Sequence, residues 1–386
     1  MSERNSTCCI GCDFMIPVCV PLLNGKELEY LKDCIDTNWI SSRGRYVAEF
    51  EKKFSQYCNC RYGITTTNGT SSIHLALASI GLKKGDEVIA PAFTMISSVF
   101  PIIYCGAKPV LVDCDPQTWT IDVSQIEEKI SEKTKAILPV HIYGHPCDMD
   151  PILKIAKKHG LFVIEDAAEA HGAEYKDKKV GGLGDIGCFS FYANKIITCG
   201  EGGMIVTNNE EIDKHALFLK DLSFERGKGR VYLHYELSYN YRLTNLQAAV
   251  GLAQFEHIND FVNMRRRNAE SYSEFLSGVS GIRLPVQKEW AKNVYWMYSI
   301  LVEPEFGISR DKLAEELAKR DIETRPFFVS MAKQPVFRNM QLFKGETYPV
   351  ADCLSRKGLY LPSSSGLKND ELEYVCESIA DIGKSK

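Results

Sequence analysis

Three short segments carry residue types that could do chemistry. The first is Cys188-Phe189-Ser190-Phe191-Tyr192-Ala193-Asn194-Lys195, followed by Gly200-Glu201-Gly202-Gly203. A strand ends there, and the lysine falls in a turn beside a glycine-rich stretch. A lysine in a close-packed turn can have its pKa lowered, which suits Schiff-base chemistry. The glycines let the backbone approach a ligand closely. Taken alone, Lys195 also reads as an exposed loop lysine. The second segment is Val163-Ile164-Glu165-Asp166-Ala167-Ala168-Glu169-Ala170-His171-Gly172. An apolar strand runs into a carboxylate at its C-terminal end, where open α/β sheets bind ligands. Asp166 there could hold a pyridinium nitrogen protonated, or simply cap a helix. The third is Thr67-Asn68-Gly69-Thr70-Ser71, a turn opening a helix. Unpaired amides at a helix start favour a phosphate, and plain capping is the alternative. Together the three supply what pyridoxal phosphate (PLP) needs: a phosphate grip, a pyridinium partner and an imine lysine.

The elements that must position these residues follow from periodicity. Helices are expected at 26–37 and 46–57, with a loop at 39–44 between them. Thr70-Ser71-Ser72 caps a helix whose apolar positions Ile73, Ala76, Leu77 and Ile80 recur at helical spacing, with Gly81 as its stop. Strands read at 87–90, 109–112, 135–140, 161–165, 186–191 and 203–207. A helix with Asp150 as N-cap, Pro151 at its first position and Gly160 beyond its end lies between the third and fourth. Strands alternating with helices predict an α/β fold with a mostly parallel sheet covered on both faces. A long helical stretch is expected from Leu246 to Leu276, then a smaller α+β region with a strand at Tyr295–Val302 and helices at Arg310–Arg320 and Asn369–Ile382. The expected organisation is an extension without order at 1–15, a large domain at 16–255 and a small domain at 256–386 that includes the connecting helix.

Composition excludes several function classes. The chain has 386 residues, 45% hydrophobic and 25% charged, as folded proteins commonly have. Its formal net charge of -4 provides no basic field for nucleic acid. No apolar run approaches the ~18 residues that span a bilayer. The 14 cysteines are scattered through a large chain, as reduced cytosolic thiols are. The cluster Cys8-Cys9-Ile10-Gly11-Cys12 has no second ligand cluster at zinc-like spacing, so no metal is expected. The N-terminus lacks a basic stretch followed by an apolar core, so it does not read as a secretory signal.

The order and content of several segments resemble the sugar aminotransferases of the DegT/DnrJ/EryC1/StrS family. They are TNGTSSIHLAL (67–77), GDEVIAPAFT (85–94), GAKPVLVDCDPQTWTID (106–122), PVHIYGHPCDMDPI (139–152), VIEDAAEAHGA (163–173), FSFYANKIITCGEGGMIVTN (189–208) and YNYRLTNLQAAVGLAQ (239–254). The likeness runs from about Ile16 to Ile382. It implies the aspartate-aminotransferase fold (PLP fold type I), a homodimer with shared active sites and a cytoplasmic enzyme of glycan or O-antigen biosynthesis.

The resemblance also implies roles. Lys195 matches the Schiff-base lysine, and Asp166 the residue facing the pyridine nitrogen. Gly69, Thr70 and Ser190 match phosphate ligands. Asn240 matches an asparagine reaching the phosphate from the partner subunit, and Phe93 an aromatic residue stacked on the cofactor ring. Glu169 stands where many relatives have glutamine near the ring hydroxyl, and an ionised carboxylate there accepts but does not donate. The implied reaction moves an amino group from L-glutamate to C4 of a nucleotide-linked 4-keto-6-deoxy sugar. WISSRGRYVAEFE, VYWMYSI and IETRPFF point to the GDP-linked mannose form, with UDP- or dTDP-linked glucose forms as alternatives. Trp39, Ser41 and Arg43 lie in the loop where relatives meet the sugar nucleotide. Arg325 could meet the diphosphate or form a surface ion pair. The loop Arg226-Gly227-Lys228-Gly229-Arg230 reads as solvated, and His141 and His171 as structural hydrogen-bonding residues.

Overall fold

The computed structural model describes residues 15–224 and 232–384. The extension expected over 1–15, apart from Met15, and the basic loop at 226–230 lie outside the described residues. In chain order the first elements are α1 (Glu27–Asp36), α2 (Arg45–Tyr57), β1 (Tyr62–Thr66), α3 (Gly69–Ser79), β2 (Glu87–Pro91), α4 (Phe100–Tyr104), β3 (Lys108–Val112), β4 (Thr134–Ile137), α5 (Met149–His159) and β5 (Phe162–Asp166). Then come β6 (Glu174–Tyr175), β7 (Lys178–Lys179), β8 (Ile186–Ser190), β9 (Gly203–Thr207), α6 (Glu210–Lys220), α7 (Asn245–Phe255) and α8 (Ile258–Leu276). The remainder carries β10 (Ile282–Arg283), β11 (Ala291–Lys292), β12 (Ser299–Val302), α9 (Arg310–Ala318), β13 (Arg325–Pro326), α10 (Pro335–Asn339), α11 (Pro349–Lys357), β14 (Gly358–Tyr360) and α12 (Asn369–Lys384).

Seven strands form one sheet in the order β1-β9-β8-β5-β4-β2-β3. β3, β2, β4, β5 and β8 pair in parallel, and β9 runs antiparallel between β8 and β1. The carboxyl ends of β1, β2, β5 and β8 therefore share one edge. Alternation sends neighbouring side chains to opposite faces. Val88, Ala136 and Ile164 join one buried cluster, while Ile89, Ile137 and Val163 join another. Burial on both faces explains why these strands read as continuous apolar runs.

The structure revises several boundaries. The stretch 246–276 is two helices, broken at Glu256-His257, because α7 packs on α1 and α2 while α8 packs on α12. A capping box of Thr244 and Gln247 starts α7. The cap of α5 is Asp148, not Asp150; Asp150 sits in the first turn and pairs with Lys176. Asn68, not Thr70, caps α3, its side chain accepting from Ser71 N at 2.8 Å. The strand expected from Tyr295 starts only at Ser299, since Tyr295 has a left-handed backbone (φ 47°). The structure adds β1, α4 and α6, which are short or lack a clear period in the sequence.

A second sheet, β10-β12-β14-β13, is covered by α8, α9 and α12 around Ile300, Phe306, Leu313 and Val375. Ile16 belongs to this second core and bridges Ile322 in parallel, although it falls within the span 16–255 expected for the first domain. Among the described residues, no helix is long and apolar enough to cross a membrane. The eleven described cysteines are free thiols.

Asp113, just past β3, ties the central sheet to α11, far along the chain. It is 4% exposed, and its carboxylate accepts from Val350 N and Ala351 N, both at 2.9 Å. These are amides of the first turn of α11, which has no local side-chain cap. The carboxylate thus meets both the orphan donors and the positive end of the helix. Asp113→Ala strands those amides in a buried setting and should cost about 2–3 kcal/mol of stability. Urea unfolding followed by circular dichroism measures this as a lower midpoint; an unchanged midpoint would contradict the role given to Asp113.

Candidate active site

The sheet's carboxyl edge opens into a cavity of about 610 Å³. β5 ends on Asp166, whose backbone is locked on both sides: Asp166 N donates to Pro139 O, and His141 N donates to Asp166 O. The preceding residue, Glu165, is wholly buried and holds this corner. It accepts from the amides of Gly181, Leu183 and Gly184 at 2.6–2.7 Å and faces His141 Nε2 at 3.0 Å. His141 Nδ1 accepts from Cys147 N, so Nε2 carries the proton and donates to Glu165.

Asp166 itself is 5% exposed and lines the cavity. Ser98 Oγ donates to Oδ2 at 2.7 Å and Ala168 N to Oδ1 at 3.1 Å. Burial pushes its carboxyl up, and the Ser98 hydroxyl opposes that shift. Beyond β8, the loop 191–199 closes on Phe191 O, which accepts from Thr198 Oγ1 and Cys199 N. Phe191 is anchored among Phe50 and Phe54. The loop presents Lys195, whose side chain is only 10% exposed. Its Nζ lies 3.6 Å from the centre of the Trp296 ring and 3.9 Å from Glu169 Oε1. Burial pulls the lysine down, against the pull of Glu169; burial pushes Glu169 up, against Lys195.

The far wall is a helix start. Asn68, Gly69 and Thr70 line the cavity together with Ser190. A Cβ on Gly69 would stand 2.7 Å from Ser190 Cβ, so only glycine lets α3 approach the end of β8 this closely. Gly203 works differently from the expectation. Its missing Cβ makes room for Asn68 O and Ser72 Oγ, both 2.5 Å away, so it packs β9 on α3 rather than on a ligand.

The cavity thus gathers Gly69, Thr70, Asp166, Glu169, Ser190, Lys195 and Arg325 from distant parts of the chain. Arg325 also pairs with Glu323 at 2.5 Å, so both of its expected roles have a geometric basis. Phe93 is a correction. It is fully buried against Tyr143, Phe327 and Phe328 and does not line the cavity; Thr94 and Met95 do. The backbone past β2 is pinned by Ala92 N to Val112 O and by Met331 N to Ala92 O, with Phe93 packed into the core between them. Trp39 is exposed, and Trp39, Ser41 and Arg43 lie outside the cavity. Asn240 is exposed and does not line the cavity of its own chain. His171 makes no ring hydrogen bond; it sits among Phe54, Phe189 and Phe191, and burial lowers its pKa to about 3.

Three further residues support the site. Ser98 is handed to Asp166 through Thr94, a pair at i,i+4 that the sequence displays without naming its target. Trp296 forms the surface under Lys195, and its indole Nε1 donates to Asn194 O at 2.8 Å. Arg265, 3% exposed, donates to Trp296 O at 2.5 Å and to Ser365 Oγ at 3.1 Å. Neither Trp296 nor Arg265 has a local signal, since each meets its partner across the fold.

Residues 21–380 match the DegT/DnrJ/EryC1/StrS aminotransferase family. The GDP-perosamine synthase of Escherichia coli O157:H7 is 44% identical over 375 residues, covering 96% of this chain and 99% of that one. The GDP-perosamine synthase of Caulobacter vibrioides is 41% identical over 368 residues, covering 95% and 98%. The Streptococcus pneumoniae protein Spr1654, solved in its PLP form, superposes with a TM-score of 0.89 at 26% identity, covering 96% of this chain and 99% of that one. The cavity fits PLP: a helix start whose glycine leaves no room for a Cβ, a hydroxyl beside it, a buried carboxylate and an amine whose side chain is 10% exposed stand in one space. The cofactor is pyridoxal phosphate, and the chain belongs to the DegT/DnrJ/EryC1/StrS aminotransferase family.

Proposed function

We propose that this enzyme moves the amino group of L-glutamate to C4 of GDP-4-keto-6-deoxy-mannose, giving GDP-perosamine. The observation that carries the chemistry is the convergence of Lys195, Asp166 and the start of α3 on one cavity. The sugar is supported by the 44% and 41% identity to the two GDP-perosamine synthases. A UDP- or dTDP-4-keto-6-deoxy-glucose is the alternative substrate class.

Bound PLP supplies an electron sink for the charge released at the donor's α-carbon. In this proposal Gly69, Thr70 and Ser190 hold its phosphate, Asp166 its ring nitrogen and Lys195 its aldehyde carbon. Ser98 and the Ala168 amide keep the Asp166 carboxylate turned into the cavity. Lys195 Nζ, drawn toward its neutral form by burial, takes the proton from the donor's α-carbon and later delivers one to C4 of the sugar. Trp296 excludes water from beneath that amine. Arg325, at the cavity wall, is assigned to the diphosphate, for which a forked guanidinium is suited.

A homodimer is part of the same proposal. Asn240 is exposed, and the neighbouring Tyr232, Leu233, Tyr235 and Leu237 are 57–86% exposed, an apolar surface that a second copy would cover. Asn240 would then reach the phosphate site of the other chain. Trp39, Ser41 and Arg43 can meet the sugar nucleotide only if it extends past the cavity or belongs to that second chain. The division into domains at 16–255 and 256–386 is part of the proposal; a separate second core speaks for it, while Ile16 joins that second core and Phe261, Trp296, Phe337 and Leu354 pack in the first. A cytoplasmic location completes the proposal.

Pure protein with PLP, glutamate and GDP-4-keto-6-deoxy-mannose should form the amino sugar, read by mass spectrometry; amination of only the UDP- or dTDP-linked sugars would refute the substrate assignment. Borohydride treatment should fix PLP to the Lys195 peptide, and Lys195→Ala should abolish both this label and at least about 99% of the activity. Mixing inactive Lys195→Ala with Asn240→Ala protein should restore activity, because one site of the mixed dimer is then intact. No recovery after proven subunit exchange would sink the shared site.

A further inference from the structure

The cavity holds a second ionisable group beside Lys195 whose capacity to take up a proton the proposed reaction does not use. Glu169 is 5% exposed, and its two oxygens have different surroundings. Oε2 accepts from Tyr143 N at 2.8 Å. Oε1 faces Lys195 Nζ at 3.9 Å, about 1 Å beyond hydrogen-bond reach. The flexible lysine stem can close that gap. Tyr143 makes its bond from a left-handed backbone (φ 52°), a conformation that a bulky residue seldom adopts and that the surroundings must enforce. The strained amide fixes one oxygen of Glu169 and leaves the other turned to the amine.

We propose that Glu169 is a catalytic partner of Lys195, exchanging one proton between Oε1 and Nζ. The proposal rests on Lys195 being the working amine. The step is balanced within the pair: the ammonium of Lys195 gives a proton to the carboxylate of Glu169, leaving a neutral amine and a neutral carboxyl. Removing both charges from a buried site offsets the loss of their attraction. Burial pushes the two groups in opposite directions, Glu169 up and Lys195 down, which brings their proton affinities together. The neutral carboxyl also gains an O–H donor, which an ionised carboxylate lacks.

The other groups nearby leave this role to Glu169. Among the described residues it is the one carboxylate within 4 Å of Lys195 Nζ. Asp166 acts on the pair from a distance, with both oxygens already bonded to Ser98 and Ala168. Cys19, the cation of Arg265 and the ring of His171 also interact with the lysine, which lies over Trp296. Around the carboxyl lie Tyr143 and the phenol of Tyr360.

The test reads the amine itself, in protein freed of PLP. Lysines are labelled with acetic anhydride across a pH series, and the Lys195 peptide is quantified by mass spectrometry. A shared proton makes the reactivity of Lys195 rise in two steps, at least about one pH unit apart, because the pair and not the amine alone titrates. Glu169→Gln keeps a donor but cannot take the proton, so its curve should collapse to one step, below the upper wild-type step. Glu169→Asp draws the carboxylate back by one methylene and should bring the two steps closer together, which serves if the glutamine variant does not fold. A single step in wild-type protein, or two steps that persist in Glu169→Gln, overturns the proposal. Adding PLP before labelling should shield Lys195; failure of that shielding would instead strike at Lys195 as the cofactor's lysine, whatever the step pattern.

Discussion

Taking Asp166, Glu169 and Lys195 out of water within one cavity is the constraint on which the rest of the structure depends. Each of these groups loses hydration that the protein must replace. The replacements are specific: a serine hydroxyl and an amide for Asp166, a strained amide for Glu169, and an aromatic face with a carboxylate for Lys195. The same desolvation brings the proton affinities of an acid and a base toward each other. Reactivity here is a result of burial acting on ordinary side chains.

Such a site needs rigid supports, and the fold supplies them in successive layers. Glu165 binds three amides and His141 in a fully buried cluster, so the end of β5 has little freedom to drift. The aromatic group of Phe50, Phe54 and Phe191 holds the base of the lysine loop. Burying rings of this size stabilises by roughly 2–3 kcal/mol each, more than a surface contact could. The side chains that line the cavity are thus placed by residues that stand outside it.

The C-terminal part of the chain completes the site from behind. Arg265, on α8, holds the carbonyl of Trp296, whose indole in turn holds Asn194 O beside Lys195. Asp113 makes the reciprocal link, from the central sheet to α11. These contacts cross the whole sequence, so the C-terminal part of the chain meets the central sheet through fixed polar bonds as well as apolar packing.

The sequence by itself determined the alternation of strands and helices, and with it a mostly parallel sheet. Apolar periodicity, glycine stops and runs buried on both faces are local signals, and they located most elements of the first half. The segments around Asp166 and Lys195 were legible for the same reason, since they lie at or just past a strand's end, and the one around Asn68 because it opens a helix. Local pattern failed where the controlling contact was remote. The break at Glu256-His257 reflects two packing partners, the cap of α3 depends on one asparagine's rotamer, and Phe93 turned into the core because β3 and the segment at Met331 pin its neighbour. Only the tertiary structure decided that Trp296, Arg265 and Ser98 serve the site, and that Glu169 faces Lys195. Distance along the chain carries no record of these meetings; they exist because folding removes the same small volume from water on all sides.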